Sequence, residues 1–143
     1  MSNPPEPFFP FEPAYLVGVE VLDRQHKEIV EQINQIHARL ADPTPKGIRL
    51  EILTRLAHLA QTHFATEEQI LRVHAFPAYL RHKAVHEGFT HHLQDFRGKV
   101  ASGERGLTPE YVELVKLWLV DHFTEWDQRY AEFLRDQKTP ASP

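Results

Sequence analysis

The chain has 143 residues, 41% of them apolar and 25% charged, with a formal net charge of −4. That is the balance of one globular domain, and without basic blocks it argues against nucleic acid or an anionic membrane surface as the partner. Cysteine is absent, which excludes disulfides, iron–sulfur clusters and thiol nucleophiles and suits a reducing cytoplasm, the location we expect.

Residues 1–20 open with MSNPPEPFFPFEPAYL, where proline at 4, 5, 7, 10 and 13 predicts an extended N-terminal arm. The segment lacks the basic flank and continuous apolar run of a signal peptide. No stretch of the chain approaches the roughly 18 apolar residues of a membrane span, so no membrane insertion is expected.

The first helix is predicted over about 21–40, with Leu22, His26, Ile29, Ile33, Ile36 and Leu40 at alternating steps of four and three. ADPTPKG at 41–47 breaks the chain. A second helix over about 48–72 carries Ile52, Leu56, Leu59, His63, Glu67 and Ile70 on one stripe. Pro77 stands near the first turn of a third, over about 78–101, whose stripe is His82, His86, Phe89, Leu93, Phe96 and Val100. Gly103 is placed to end it. Thr108-Pro109-Glu110 opens the fourth helix as cap, first-turn proline and acid, and that helix runs to about 135 through Val112, Val115, Leu119, His122, Trp126, Tyr130 and Phe133. Residues 136–143 form a tail expected to fray. Strand patterns are missing, so the expected fold is all-α: an antiparallel up-down-up-down four-helix bundle over 21–135, preceded by the proline-rich arm.

The stripes point His26, His63, Glu67, His82, His86 and His122 into the core. A lone histidine on an apolar stripe is more often a hydrogen-bonded core residue than a ligand. Five histidines and a glutamate facing Ile, Leu, Val and Phe have too few partners for that reading, and a shared cation satisfies them together. The set exceeds the four positions of a closed zinc site and offers too few oxygens for calcium or magnesium. It suits a dinuclear transition-metal site with bridging carboxylates, iron leading on ligand type. Asp127 is assigned as the second carboxylate. Its five-residue step from His122 turns a regular helix roughly 140° past one turn, so a π-bulge is expected between them. Glu68 is an alternative bridge, although the four-residue step from His63 favours Glu67. His37, His58, His74, His91 and His92 are expected to be solvated.

The stretches VGVEVLDRQHKEIVEQIN, HFATEEQIL, FPAYLRHKAVHEGF and WLVDHFTEWDQRYAEFL contain, in order, D-x-Q-H, H-F-x-x-E-E, H-x-x-x-H and H-x-x-x-x-D. In this the sequence resembles the hemerythrins, specifically the bacterial single-domain kind. The resemblance implies a non-haem di-iron centre with an oxo or hydroxo bridge that binds dioxygen reversibly. By position, His82, His86 and His122 would hold one iron, coordinatively full, and His26 and His63 the other, with an open position. Glu67 and Asp127 would bridge them. Trp118, Leu119 and Phe123 match the positions that line the dioxygen pocket. Two departures stand out: Phe123 where isoleucine is usual, and Phe11 or Tyr15 where a tryptophan upstream of the first helix is common.

The expected function is therefore dioxygen storage, delivery or scavenging by a protein that is not an enzyme; a protein recipient of the oxygen is left open, and the sequence does not identify one. The alternatives are a di-iron peroxidase, oxidase or nitric-oxide-consuming enzyme, or an oxygen or iron sensor acting through a separate partner. Carboxylate-rich di-iron enzymes draw a Glu from each of two helices plus two Glu-x-x-His motifs. That pair is missing here, which favours reversible binding.

Overall fold

The computed structural model describes residues 6–138, and no strand is found among the described residues. Helix α1 spans Glu20–Arg39, α2 Lys46–Val73 and α3 Tyr79–Ser102. The fourth rod joins α4 (Pro109–Asp121), a π-turn (His122–Trp126) and α5 (Asp127–Lys138) without a break. Short links reverse the chain between rods, giving the antiparallel four-helix bundle. The fourth rod runs on to Lys138, so part of the segment expected to fray is helical. Residues 1–5 of the arm and 139–143 of the tail lie outside the described residues.

Local chemistry sets the helix ends. The residue preceding α1 is Val19, which cannot cap, so the start is fixed from within. The Asp23 carboxylate accepts the Val17 N–H at 2.7 Å and the Gly18 N–H at 3.2 Å. Gly18 supplies the positive φ of +83° that this hook requires. Helix α2 closes with the Phe76 N–H on the Leu71 carbonyl (2.9 Å) and the Ala75 N–H on that of Arg72 (3.1 Å). This pairing puts its left-handed residue at Ala75, with φ 53°, where glycine is usual. Gly103 ends α3 with φ 82°, as expected. Thr108 accepts the Tyr111 N–H at 3.3 Å, with Pro109 next, so the predicted cap forms.

The buried stripes form two apolar layers. The larger holds Ile29, Ile33, Leu53, Leu56, Phe89, Leu93, Val112, Val115 and Leu119, among others. The smaller holds Leu22, Leu71, Phe76, Tyr130 and Leu134. Along every rod the polar core residues fall between these layers.

The arm is part of this packing. Phe9, Tyr15 and Val17 are buried, and burying a Phe side chain contributes roughly 1.5–3 kcal/mol. The Asn34 side chain pairs with both the N–H (2.6 Å) and the carbonyl (2.8 Å) of Phe9. Lys116 Nζ donates to the Phe8 carbonyl at 2.7 Å and lies over the Phe8 ring. A 3-10 turn at Pro13–Tyr15 then leads the arm into α1. Prolines predict the extended path; the Phe contacts decide where it lies.

Candidate metal centre

Each rod sends polar groups into the gap between the apolar layers. His26 comes from α1, His63 and Glu67 from α2, His82 and His86 from α3, His122 from the π-turn and Asp127 from the start of α5. None is more than 2% exposed. Burying so many unpaired polar groups would cost several kcal/mol each, so their mutual arrangement has to offset that cost.

The two carboxylates organise the cluster. Glu67 Oε1 lies 2.6 Å from His82 Nε2 and 3.0 Å from His86 Nε2. Its Oε2 turns to His63 Nε2 at 3.2 Å and His26 Nε2 at 3.9 Å. Asp127 Oδ1 faces His122 Nε2 at 3.0 Å and His82 Nε2 at 3.3 Å, while Oδ2 faces His26 Nε2 at 3.2 Å. Each carboxylate therefore presents one oxygen to His82, His86 or His122 and the other to His26 or His63. Donor atoms of Glu67, His82, His86 and His122 lie within 4.8 Å of one another, and so do those of His26, His63, Glu67 and Asp127.

Proximity is not pairing here. His26 Nε2, His63 Nε2 and both Asp127 oxygens are buried without a hydrogen-bond partner. Nitrogens and oxygens that converge at about 3 Å but are not aligned as donors and acceptors are disposed to share a cation, and a transition metal fits an imidazole-rich set of this kind.

The π-turn explains how Asp127 reaches the cluster. Its N–H bonds to the His122 carbonyl five residues back. The widened turn absorbs one extra residue, so a five-residue step returns Asp127 to the side of His122. The Phe123 carbonyl in this turn accepts from Gln128 Nε2 at 3.2 Å. The same amide bonds the carbonyls of Ala14 (3.0 Å) and Leu16 (3.1 Å), tying the turn to the arm.

The outward nitrogens of three histidines are held as well. His26 Nδ1 donates to the Tyr15 carbonyl at 3.0 Å, His63 Nδ1 to Gln25 Oε1 at 2.8 Å and His86 Nδ1 to Glu68 Oε2 at 2.8 Å. Each bond puts the proton on Nδ1 and leaves Nε2 to face the cluster. Glu68, weighed as a bridge, thus stands behind His86 and outside the cluster. The Tyr130 hydroxyl, fully buried, donates to Glu67 Oε2 at 2.9 Å. Sequence reasoning gave Gln25, Tyr130 and Gln128 no part in the site. Gln25 adjoins His26 within the D-x-Q-H motif, and Tyr130 lay on the buried stripe with a hydroxyl needing a partner; those were the available signals.

Aromatic rings wall the cluster. Phe123 stacks on His26 at 4.3 Å between centroids and meets Tyr15 at 5.4 Å. Trp118 stacks on His122 at 4.8 Å and on Phe89 at 4.1 Å. Phe123 therefore adjoins His26, Trp118 adjoins His122, and Leu119 is buried in the larger apolar layer. Trp118 also lines a surface cavity of about 440 Å³ with Val85, Phe89 and Leu114, which includes neither Leu119 nor Phe123. Of the histidines expected to be solvated, His58, His74, His91 and His92 are exposed, whereas His37 is half-covered by Phe8, stacked on it at 3.7 Å.

Charge is distributed to match. Burial alone would lower the pKa of His26, but Asp127 and Glu67 outweigh it and raise it to about 10. The same opposition raises His82 to about 9. Burial would push Glu67 up, yet the surrounding histidines hold it well below the usual carboxylate range, and Asp127 is likewise lowered against its burial by His122 and His26. Burial, reinforced by Asp127 and Glu67, keeps the Tyr130 phenol well above its ordinary value. Burial lowers His63, so without metal it is protons on His26 and His82 that balance the carboxylates in place of cations.

Known proteins resemble this chain in sequence and in fold. The Hemerythrin HHE cation binding domain matches residues 17–134. A bacteriohemerythrin of Pseudomonas aeruginosa is 30% identical over 118 residues, covering 82% of this chain and 76% of the relative. One from Stenotrophomonas maltophilia is 28% identical over 116 residues, 81% of this chain and 74% of its own. A crystal structure of wild-type hemerythrin superposes with a TM-score of 0.82 at 25% identity, covering 87% of this chain and 96% of that one. The polar cluster between two apolar layers, the π-turn that delivers its last carboxylate and the match from 17 to 134 place this chain in the hemerythrin family.

Proposed function

We propose that the chain holds two iron ions in this cluster and binds dioxygen reversibly. One observation carries the reading: both buried carboxylates are split, one oxygen to each group of histidines. That is the disposition of bridging ligands between two cations. His82, His86 and His122 would hold one ion and His26 and His63 the other, with Glu67 and Asp127 shared. The second position has fewer imidazoles and so leaves room for a small ligand. Two ferrous ions there would supply two electrons to dioxygen and recover them on its release.

The protein's own part is to orient and to exclude. Nδ1 bonds to Tyr15, Gln25 and Glu68 keep the Nε2 lone pairs inward. The Tyr130 hydroxyl holds Glu67 Oε2 in place. Phe123, backed by the Tyr15 ring, covers His26 with apolar surface, which keeps water from solvating an anion as it leaves and so favours return of neutral dioxygen.

The test is to load the chain with ferrous iron without air, admit oxygen, record the visible spectrum and then remove the oxygen. A charge-transfer band that develops and then vanishes is expected. Permanent conversion to the ferric form with turnover of peroxide would favour an enzyme.

A further inference from the structure

The acceptors behind the histidines differ in charge. Tyr15 behind His26 and Gln25 behind His63 offer neutral carbonyl oxygens, whereas Glu68 behind His86 offers a carboxylate. His122 Nδ1 is buried with no acceptor among the described residues. Among the described residues, the one acidic side chain bonded to the outer nitrogen of a candidate ligand therefore stands on the side of His82, His86 and His122. Phe64 stacks on His86 at 3.9 Å and 9°, fixing the ring plane in which that bond is made. Glu68 is 18% exposed and lines a cleft of about 300 Å³ between α2 and α3, on the outer face of His86.

A carboxylate on Nδ1 draws the ring proton toward itself, leaves more electron density on Nε2 and strengthens the bond to a cation there. Its negative charge also favours the higher oxidation state of an ion across the ring. Gln25 and the Tyr15 carbonyl do the first weakly and the second hardly at all. The two positions, alike in their shared carboxylates and already unequal in imidazoles, are thus made more unlike from behind.

We propose that Glu68 is a positioning residue that makes the His82–His86–His122 position the tighter of the two and the first to fill, and biases its ion toward the oxidised state. The assignment rests on the two-cation reading above.

The experiment uses the full chain freed of metal and titrated with cobalt(II) against a competing chelator, following the visible absorption of bound cobalt. The parent chain should bind in two steps. Glu68→Gln keeps an acceptor oxygen and the side-chain shape but removes the charge; it should weaken the tighter step about 10- to 100-fold and leave the looser one unchanged. Glu68→Ala should weaken the tighter step at least as much. Gln25→Leu should weaken only the looser step. In the iron-loaded protein, Glu68→Gln should raise the midpoint potential, a shift that loss of packing alone does not dictate. The proposal is overturned if Glu68→Gln leaves the tighter step and the potential unchanged, if it weakens both steps alike, or if Gln25→Leu weakens the tighter one. Failure of the parent chain to bind cobalt at all would defeat the two-cation reading together with this assignment, and the parent titration alone reveals it.

Discussion

In the metal-free chain, His26 and His82 hold their protons up to about 10 and about 9, because Asp127 and Glu67 outweigh their burial. A metal needs the neutral ring, so each must release its proton on binding. Below these values uptake is opposed by protons and above them it is not. Affinity should therefore rise with pH between 7 and 9, by about tenfold per unit for each proton released. A pH indicator in weakly buffered solution measures the release directly; an affinity independent of pH over that range would contradict the balance described. The same pairs set the sign of the stability effect. The raised histidines stabilise the metal-free fold at neutral pH and below, and that contribution is lost as pH rises through about 9 to 10. The depressed Glu67 and Asp127 contribute above the ordinary carboxylate range and cease to as acid protonates them. The candidate ligands were legible in the sequence because each lies on an apolar stripe where a polar side chain is out of place. Their outer partners were not: Gln25 and Glu68 lie at the edge of the buried face, where polar residues are ordinary, and the Tyr15 acceptor is backbone, which carries no residue-type signal.

Two helical elements break a local rule, and both breaks can be measured. Ala75 occupies the left-handed position that closes α2, and nothing in its type foretells a φ of 53°. Ala75→Gly should relieve that strain and stabilise the fold by about 1 kcal/mol in thermal or denaturant unfolding; no gain would mean that neighbouring packing already compensates. The π-turn was foreseeable only because Asp127 stood five residues from His122 rather than four. Such a turn behaves as a one-residue insertion in a regular helix. Deleting Thr124 should therefore let the segment revert to α-helix with Asp127 still beside His122 and Tyr130 still beside Glu67. We expect the deletion to retain binding of two cobalt ions and to unfold at a higher temperature. Loss of binding with helicity intact by circular dichroism would show that the widened turn itself, and not only its register, is required. At the start of α1 a substitute device operates: without a capping side chain at Val19, the hook from Asp23 holds the first turn, and the first residue of D-x-Q-H acquires a structural reason.

Taken whole, the molecule is two apolar layers separated by a charged one, with an arm laid across α1 and the fourth rod. Cations that bind the folded cluster and not the unfolded chain stabilise the fold, by about 2.7 kcal/mol at a hundred times their Kd. For a domain of this size that is a shift of at least about 5 °C. Removing metal with a chelator should lower Tm by that much, and returning cobalt or iron should restore it; an unchanged Tm would mean that the cluster is satisfied without cations. The bundle could be read from periodicity since burial dictates it. The resting place of the arm could not, because an extended segment has no face of its own and its position is set by Asn34, Lys116 and Gln128, remote in sequence.

One detail of that arm bears on how such a site can drift. The acceptor behind His26 is a main-chain oxygen at Tyr15, so no exchange of the side chain there removes it. The orientation of His63 hangs on one amide and that of His86 on one carboxylate, and a single codon change can abolish either. His26 is insulated: only an insertion or deletion that shifts the path of the 3-10 turn would free it. Lineages descended from this chain would thus keep that bond through any side-chain exchange at position 15 that still fills the aromatic packing there, provided the spacing between the turn and α1 stays fixed, so that length, and not identity, is the inherited constraint on the acceptor.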